Sequence, residues 1–179
     1  MQQISQIISK EQILSRITEL AQVFSQDHIN EQEYNFITVL KGAKRFSEDF
    51  VREVKQCSNK KLNNTFISLR SYGSNNATSG KVEVKGEIKQ DIKNKKITII
   101  EDIVDTGLTL EFLEKYLYEE KQVNDVKVVS LLDKPSRRKV SVKPDYFGFS
   151  VPNKFVVGYG IDFDQKYREL DFIGFLNEN

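Results

Sequence analysis

The sequence predicts a single α/β domain over residues 1–179, built on a mostly parallel, twisted sheet that is flanked by helices. Three observations lead to this fold class. Short apolar runs typical of buried strands alternate with amphipathic helical patterns, and residues 65–88 indicate a small antiparallel element. Residues 96–110 also contain a strand, an acidic turn and a helix start in direct succession. No internal repeat or interdomain linker interrupts this alternation.

Composition excludes several classes of protein. Hydrophobic residues make up 39% and charged residues 30% of the chain, and the formal net charge is +1, so no dominant surface for nucleic acid or membrane is indicated. The one cysteine, Cys57, cannot form an internal disulfide, and we expect an inert, partly buried thiol. The N-terminus has no signal-peptide pattern and no run has transmembrane length, so the cytoplasm is the expected location.

The first predicted element is an amphipathic helix over residues 9–25. Ser9 and Gln12 have the spacing of a capping box, and apolar residues then recur at helical spacing. His28, the only histidine, follows in a polar connection. Nothing near it in the sequence completes a catalytic triad or a metal site, so we expect it to be solvated and without a catalytic role.

A short buried strand over residues 36–40 comes next, and it turns through Gly42 into a helix from about 43 to 56. A glycine turn between a strand and a helix presents backbone N–H groups to an anion at the carboxyl end of a parallel sheet. Many strand–helix units have such a glycine, so this feature alone does not establish a binding site.

The antiparallel element is expected to begin with a strand over residues 65–69. A polar, glycine-bearing segment follows at residues 71–80, and a half-exposed hairpin arm follows at 82–84. The polar segment has almost nothing to bury, so we expect it to be mobile. Two interpretations stay open: a surface excursion, or a lid that orders on substrate and brings Tyr72 over the site.

The chemistry is concentrated in the centre of the chain. A strand over residues 97–101 ends in the carboxylates of Glu101 and Asp102, a turn containing Asp105 follows, and a glycine flanked by threonines begins a helix over about 108–121. Free N–H groups at a helix start suit a phosphate. The carboxylates suit hydroxyls, a bridging Mg²⁺ or a proton. A sugar phosphate satisfies both halves of such a site.

The last third of the chain adds three more strands. One covers residues 126–132 and leads to Lys134, so this lysine lies at the carboxyl end of a strand, where doubly wound sheets bind ligands. The others cover residues 146–149 and 155–158. Taken one by one, the aromatic residues in this part are more typical of a core than of ligand contacts.

These segments resemble a known family. Residues 99–109, IIEDIVDTGLT, are similar to the diphosphate-sugar signature of the type I phosphoribosyltransferases. Four further segments resemble its hypoxanthine-guanine branch in the family's order: 40–43, 71–73, 132–135 and 151–162. The resemblance extends from about residue 10 to residue 176. It implies the family fold, with a small hood and a mobile loop at about 71–81.

The implied activity is purine salvage. The family transfers the 5-phosphoribosyl group from phosphoribosyl diphosphate to N9 of hypoxanthine or guanine, which gives IMP or GMP and pyrophosphate, and it depends on Mg²⁺. By resemblance, Glu101 and Asp102 hold the ribose hydroxyls and help organise Mg²⁺, and Asp105 accepts the proton from N7 of the purine. The 5′-phosphate would lie in a cradle formed by Thr106, Gly107, Leu108 and Thr109.

The resemblance assigns the pyrophosphate to Lys41, Gly42 and Arg168, and the peptide before Lys41 is often cis in relatives. Asp162 would ligate a second Mg²⁺. Ser71 and Tyr72 would belong to the lid, with Tyr72 counted among the catalytic residues. Keeping water from the sugar cation that develops during transfer would give such a lid a physical role.

The base would be recognised by Lys134, Phe155 and Val156. By resemblance, Lys134 donates to the 6-oxo group, Phe155 stacks on the base and Val156 supplies backbone contacts. An ammonium group only donates hydrogen bonds, so it suits an acceptor oxygen and would leave the amine of adenine unpaired. A buried mismatch of that kind costs about 1–3 kcal/mol, which favours hypoxanthine and guanine over adenine.

Two alternatives stay open beside this reading: a xanthine-preferring relative, and a non-catalytic regulator with the same fold. A regulator could dispense with Asp105 and Tyr72, and a nucleic-acid binder should show a basic stripe. Departures from the family pattern at Leu108, Asn153 and Phe163 remove no chemical role. The family commonly forms dimers or tetramers, so a homodimer or homotetramer is expected.

Overall fold

The computed structural model describes residues 3–72, 81–85, 88 and 90–177. The helices are α1 (Lys10–Asp27), α2 (Lys44–Cys57) and α3 (Leu108–Glu119). The strands are β1 (Ile4–Ile8), β2 (Glu33–Leu40), β3 (Lys61–Tyr72), β4 (Lys81–Lys85), β5 (Lys96–Val104), β6 (Asp125–Asp133), β7 (Tyr146–Ser150), β8 (Val156–Val157) and β9 (Ile173–Leu176). A 3-10 turn covers Pro135–Arg137.

A six-stranded sheet in the order β4-β3-β2-β5-β6-β7 forms the centre of the molecule. All its neighbouring pairs are parallel except β3 and β4, which confirms the predicted parallel sheet with one antiparallel element. Alternate residues of each strand face opposite layers, because successive side chains of a strand point to opposite faces. In β2, Phe36 packs with α1 and α2, whereas Ile37 and Val39 pack with α3.

The helices follow the predicted patterns closely. Ser9 caps α1 in a capping box with Gln12, as the sequence indicates. The buried face of α3 consists of Leu110, Leu113 and Leu117, whose spacing predicts it. Local capping therefore determines where α1 begins, and helical periodicity determines which faces α1 and α3 bury.

A second, three-stranded antiparallel sheet in the order β1-β9-β8 was not predicted as a whole. The first and last strands of the chain pair here, with Ile4 opposite Leu176. Such a pairing leaves little local signal, because both strands are short and their partners are far apart in sequence. This sheet matches the small hood implied by the family resemblance.

Two surface expectations were wrong. The thiol of Cys57 is exposed rather than partly buried, because the residue ends α2 beyond its apolar face. His28 is not a freely solvated loop residue, since its ring stacks on Phe24 with centroids 4.4 Å apart. Burial lowers the pKa of His28. In the part of the chain that the structure describes, no helix has the length and apolar character needed to cross a membrane.

Candidate active site

The loop after β2 lies directly against the end of β5, its neighbour in the sheet. The peptide bond between Leu40 and Lys41 is cis, as the family resemblance leads us to expect. A methyl group on Gly42 would overlap the carboxylate of Asp102. The backbone of this loop can therefore approach the carboxylate only because residue 42 is a glycine.

The turn after β8 contacts the other side of the same loop. A methyl group on Gly160 would overlap the carbonyl oxygen of Gly42, so the two backbones touch. Nη1 of Arg168 donates to the carbonyl oxygen of Gly160 at 2.7 Å, and its Nη2 lies 2.6 Å from Oδ1 of Asp162. The structure thus brings Asp162 and Arg168 to the sheet edge where Gly42 meets Asp102.

Two adjacent acidic side chains lie at this edge. Glu101 is 7% exposed, and its burial together with the charge of Asp102 raises its pKa well above the ordinary value. Burial also raises the pKa of Asp102 to about 6, although the charge of Arg168 opposes the rise. Burial is the main cause of both shifts, because it disfavours the charged form of a carboxyl group. A bound cation or several hydroxyl groups would stabilise the charged forms of this pair.

The loop between β5 and α3 forms a small anion cradle. Gly107 has φ +83°, and no side chain caps the start of α3. The N–H of Leu108 makes a long hydrogen bond of 3.5 Å to Oγ1 of Thr106, and the first-turn N–H groups of a helix have no intrahelical partners. A cavity of about 80 Å³ opens beside them, lined by residues that include Glu101 and Thr109. Its position and size suit a phosphate group.

Asp105 carries a carboxylate with free acceptor capacity. Its Oδ1 is buried and accepts no hydrogen bond from the residues that the structure describes. Nε of Arg137 lies 2.8 Å from this oxygen but is not aligned to donate to it, so the contact is an ion pair. The main-chain oxygen of Asp105 accepts a hydrogen bond from Nη1 of Arg138 at 2.7 Å. The carboxylate can therefore receive a proton from a ligand.

Sequence reasoning missed Arg137 and Arg138. Arg138 also forms an ion pair with Asp133 at the end of β6, and the N–H of Lys139 donates to the carbonyl oxygen of Thr106 at 2.9 Å. The segment after β6 therefore covers the loop that begins at Asp105. The available signal was a pair of arginines just after Lys134, but a charged pair in a loop is usually solvated.

A larger cavity of about 780 Å³ lies next to Asp105. Its walls include Lys134, Phe155 and Val156, three residues that the family resemblance assigns to the base. Lys134 is 5% exposed, and burial lowers its pKa. The ring of Phe155 is 55% exposed and meets Phe163 edge-on at 5.5 Å, so one of the expected core aromatics is in fact available to a planar ligand.

The predicted lid falls largely outside the described residues. The backbones of Ser71 and Tyr72 end β3 and pair with those of Val82 and Lys81 in β4. Their side chains and residues 73–80 are outside the described part of the chain. The roles of Ser71 and Tyr72, and the loop at about 71–81, therefore stay predictions.

The carboxylates fit Mg²⁺ bound jointly with a substrate. No group of three His, Cys, Asp or Glu side chains in the described residues could hold a metal ion by itself. Mg²⁺ is usually bound through one or two carboxylates together with waters and substrate phosphates. Glu101 and Asp102 provide such a pair. Asp162 provides a further carboxylate, which is close enough for its charge to act on Asp102.

Comparisons with known proteins show what this chain is similar to. The family model of the phosphoribosyl transferase domain matches residues 3–164. A hypoxanthine-guanine phosphoribosyltransferase of Bacillus subtilis is 38% identical over 170 residues, which are 95% of this chain and 91% of that protein.

Solved structures give the same result. A hypoxanthine-guanine phosphoribosyltransferase from Bacillus anthracis, with HEPES in its active site, is 39% identical and superposes with a TM-score of 0.89 over 98% of this chain and 100% of that one. A hypoxanthine phosphoribosyltransferase of Trypanosoma cruzi, studied for the role of its C-terminal region in oligomeric state and activity, is 35% identical with a TM-score of 0.88. The alignment covers 97% of this chain and 91% of that one.

Proposed function

Because this chain belongs to the phosphoribosyl transferase family, we propose that it is a purine-salvage enzyme that transfers the 5-phosphoribosyl group of phosphoribosyl diphosphate to N9 of hypoxanthine or guanine. The products are IMP or GMP and pyrophosphate. The observation that carries the proposal is one cavity lined by Asp105, Lys134 and Phe155 beside an anion cradle at the start of α3. The cavity would accept the purine base, and the cradle would accept the 5′-phosphate of the sugar substrate.

The base would lie against Phe155, with its 6-oxo group toward Lys134 and its N7 toward Asp105. Burial of Lys134 strengthens the hydrogen bond that its ammonium group can donate to an oxygen. The same ammonium group cannot accept a hydrogen bond from the amine of adenine, so adenine would leave a buried donor unpaired. The carboxylate of Asp105 has a free oxygen to receive the N7 proton, and general-base catalysis contributes about 10²–10⁴-fold.

The sugar diphosphate would extend from the cradle toward the loop after β2. Glu101 and Asp102 would hold the ribose hydroxyls, and the backbone of residues 106–109 would hold the 5′-phosphate. Lys41 and Arg168 would stabilise the negative charge that develops on departing pyrophosphate. Glu101 and Asp102 would help to hold one Mg²⁺ and Asp162 a second, and these ions would supply positive charge to the leaving group. Ser71 and Tyr72 would help to exclude water.

The test is a side-by-side measurement of kcat/KM for hypoxanthine, guanine, xanthine and adenine, with pyrophosphate release as the readout. We expect turnover with hypoxanthine and guanine, weak or no turnover with adenine, and loss of activity when EDTA removes Mg²⁺. A preference for xanthine would identify the xanthine-preferring alternative. Binding of phosphoribosyl diphosphate without turnover of any purine would contradict the proposal and indicate a regulator. The named relatives favour neither alternative.

We also propose that the protein acts as a homodimer or homotetramer. Support comes from family membership, within which the oligomeric state of the Trypanosoma cruzi relative has been related to its C-terminal region. Light scattering coupled to size-exclusion chromatography measures the mass directly. A particle of 20.7 kDa at micromolar concentration would contradict this proposal, because that is the mass of one chain.

A further inference from the structure

The turn between β8 and β9 has an unusual backbone that needs support from outside. Gly158, Tyr159 and Gly160 have φ values of +103°, +52° and +101°, and Tyr159 is a bulky residue in the left-handed region. A methyl group on Gly158 would overlap the carbonyl oxygen of Phe172. Left-handed conformations of non-glycine residues persist where surrounding contacts enforce them, and they cluster at functional sites.

Helix α2 provides those contacts through two charged residues. The ring of Tyr159 is 1% exposed, and its hydroxyl donates to the carboxylate of Asp49. The guanidinium carbon of Arg45 lies 4.4 Å from the centroid of the same ring. Nη1 of Arg45 donates to the carbonyl oxygen of Leu170 at 2.9 Å, and that oxygen also accepts from the N–H of Tyr159 at 2.9 Å. We call Arg45, Asp49 and Tyr159 the clamp.

The clamp holds the part of the turn that carries the charged site residues. The N–H of Gly160 donates to the carbonyl oxygen of Arg168 at 3.0 Å, and Nη1 of Arg168 donates back to the carbonyl oxygen of Gly160 at 2.7 Å. Arg168 is in turn paired with Asp162. A displacement of Tyr159 would therefore move both charged side chains relative to the loop at Gly42.

The clamp also connects the turn to the opposite side of the pyrophosphate site. Arg45 lies in the first turn of α2, three residues after Gly42, and Gly160 touches the carbonyl oxygen of Gly42. The first turn of α2 thus sets the distance between the Lys41–Gly42 loop and Arg168. Anchoring by packing alone would require only an apolar ring at position 159, and a buried tyrosine hydroxyl aimed at a carboxylate indicates a more directional contact.

We propose that Arg45 and Asp49 are positioning residues for the diphosphate end of phosphoribosyl diphosphate, acting through Tyr159 on Asp162 and Arg168. Neither residue needs to touch the substrate. This inference rests on the proposed function, because it assigns the pyrophosphate to Lys41 and Arg168. Misplacement of catalytic groups by about 1 Å can cost about 10²-fold in rate.

The test compares Arg45→Met with Lys44→Met. Both remove one positive charge from the first turn of α2, but the ion pair that the structure shows for Lys44 is with the exposed Glu48, on α2 itself. For Arg45→Met we expect KM for phosphoribosyl diphosphate to rise about tenfold. KM for the purine base should stay within about twofold of the wild-type value. Lys44→Met should leave both values unchanged.

Two further measurements separate positioning from general damage. Tyr159→Phe, which keeps the ring and loses the contact with Asp49, should show a smaller rise in the same KM. Amide hydrogen exchange over residues 159–170 should accelerate in Arg45→Met and not in Lys44→Met, because the N–H groups of Tyr159 and Gly160 donate within the clamped turn. An equal rise in both KM values, or exchange like that of the control, would overturn the proposal.

Calorimetric titration with magnesium pyrophosphate makes the result independent of turnover. If the wild-type protein turns over no purine, the proposed function fails. Weaker binding of magnesium pyrophosphate by Arg45→Met than by Lys44→Met would still support the clamp in that case. Equal binding by the two variants would overturn the clamp even if the enzyme is fully active.

Discussion

Gly42 and Asp102 come from different strand ends and touch each other so closely that a methyl group on Gly42 would overlap the carboxylate. This contact joins the loop after β2 to the acidic end of β5. On its other side, Gly42 touches the backbone of Gly160. The loop is therefore held between the two segments that carry the proposed metal and pyrophosphate ligands.

The contact predicts that Gly42→Ala displaces the Asp102 carboxylate and lowers kcat/KM for phosphoribosyl diphosphate by about 10²-fold. Steady-state kinetics with hypoxanthine as the second substrate provide the measurement. The control is the same substitution in an Asp102→Ala background, where the methyl group no longer meets a carboxylate. We expect Gly42→Ala to cost little there. If the losses of kcat/KM in the two single variants multiply in the double variant, the overlap with Asp102 is not the cause of the loss in Gly42→Ala.

Asp105→Asn is expected to reduce kcat by about 10²–10⁴-fold and to leave the binding of magnesium phosphoribosyl diphosphate intact. An amide of the same shape cannot take up the N7 proton. The change also removes the ion pair with Arg137, but it breaks no hydrogen bond from the described residues to the affected oxygen. Pyrophosphate release measures kcat, and calorimetry measures binding. Glu111→Gln, an exposed change in the first turn of α3, should alter neither. An unchanged kcat in Asp105→Asn would remove this residue from the base role.

Phe155→Ala is expected to raise KM for the purine base about 5- to 150-fold, because aromatic stacking on a base is worth about 1–3 kcal/mol. KM for phosphoribosyl diphosphate and the melting temperature should change little, since the ring is 55% exposed. Phe147→Ala provides the matched control, with a ring that is 39% exposed and does not line the large cavity. Similar KM values for the two variants would contradict stacking by Phe155.

The half-buried position of His28 predicts a contribution to acid destabilisation. Its pKa is lowered mainly by burial, and the nearby carboxylates of Asp27 and Glu31 oppose that shift. Below about pH 6.5 the unfolded chain takes up a proton that the folded chain does not, so stability is lost as pH falls. Between pH 7 and pH 5, the melting temperature of His28→Phe should therefore fall less than that of the unchanged protein.

The unchanged protein must serve as the reference for His28→Phe, because other groups titrate in the same range. Glu101 and Asp102 have raised pKa values, so their protonation in the folded state increases stability as pH falls, which is the opposite sign. These carboxylates are common to both proteins and cancel in the comparison. Parallel curves for the two proteins would show that His28 does not titrate differently on folding.

Much of the fold and part of the site could be predicted from sequence because the signals are local. The capping box at Ser9, the leucine spacing of α3 and the apolar run that ends at Glu101 each act over a few residues. The order of strands and helices then requires the strand ends at Gly42, Asp105 and Lys134 to lie on one edge of the sheet. The family resemblance added an expected role for each residue, which residue chemistry alone left open.

Only the tertiary structure determined the relationships between distant segments. The pairing of β1 with β9, the ion pair of Arg137 with Asp105 and the clamp on Tyr159 all join residues far apart in sequence. None of them has a periodic or local signal, because a side chain's partner across the fold depends on how complete elements pack. The sequence by itself therefore determined that the strand ends at Gly42, Asp105 and Lys134 share one edge of the sheet, whereas packing decided which distant side chains join them there and how closely they are held.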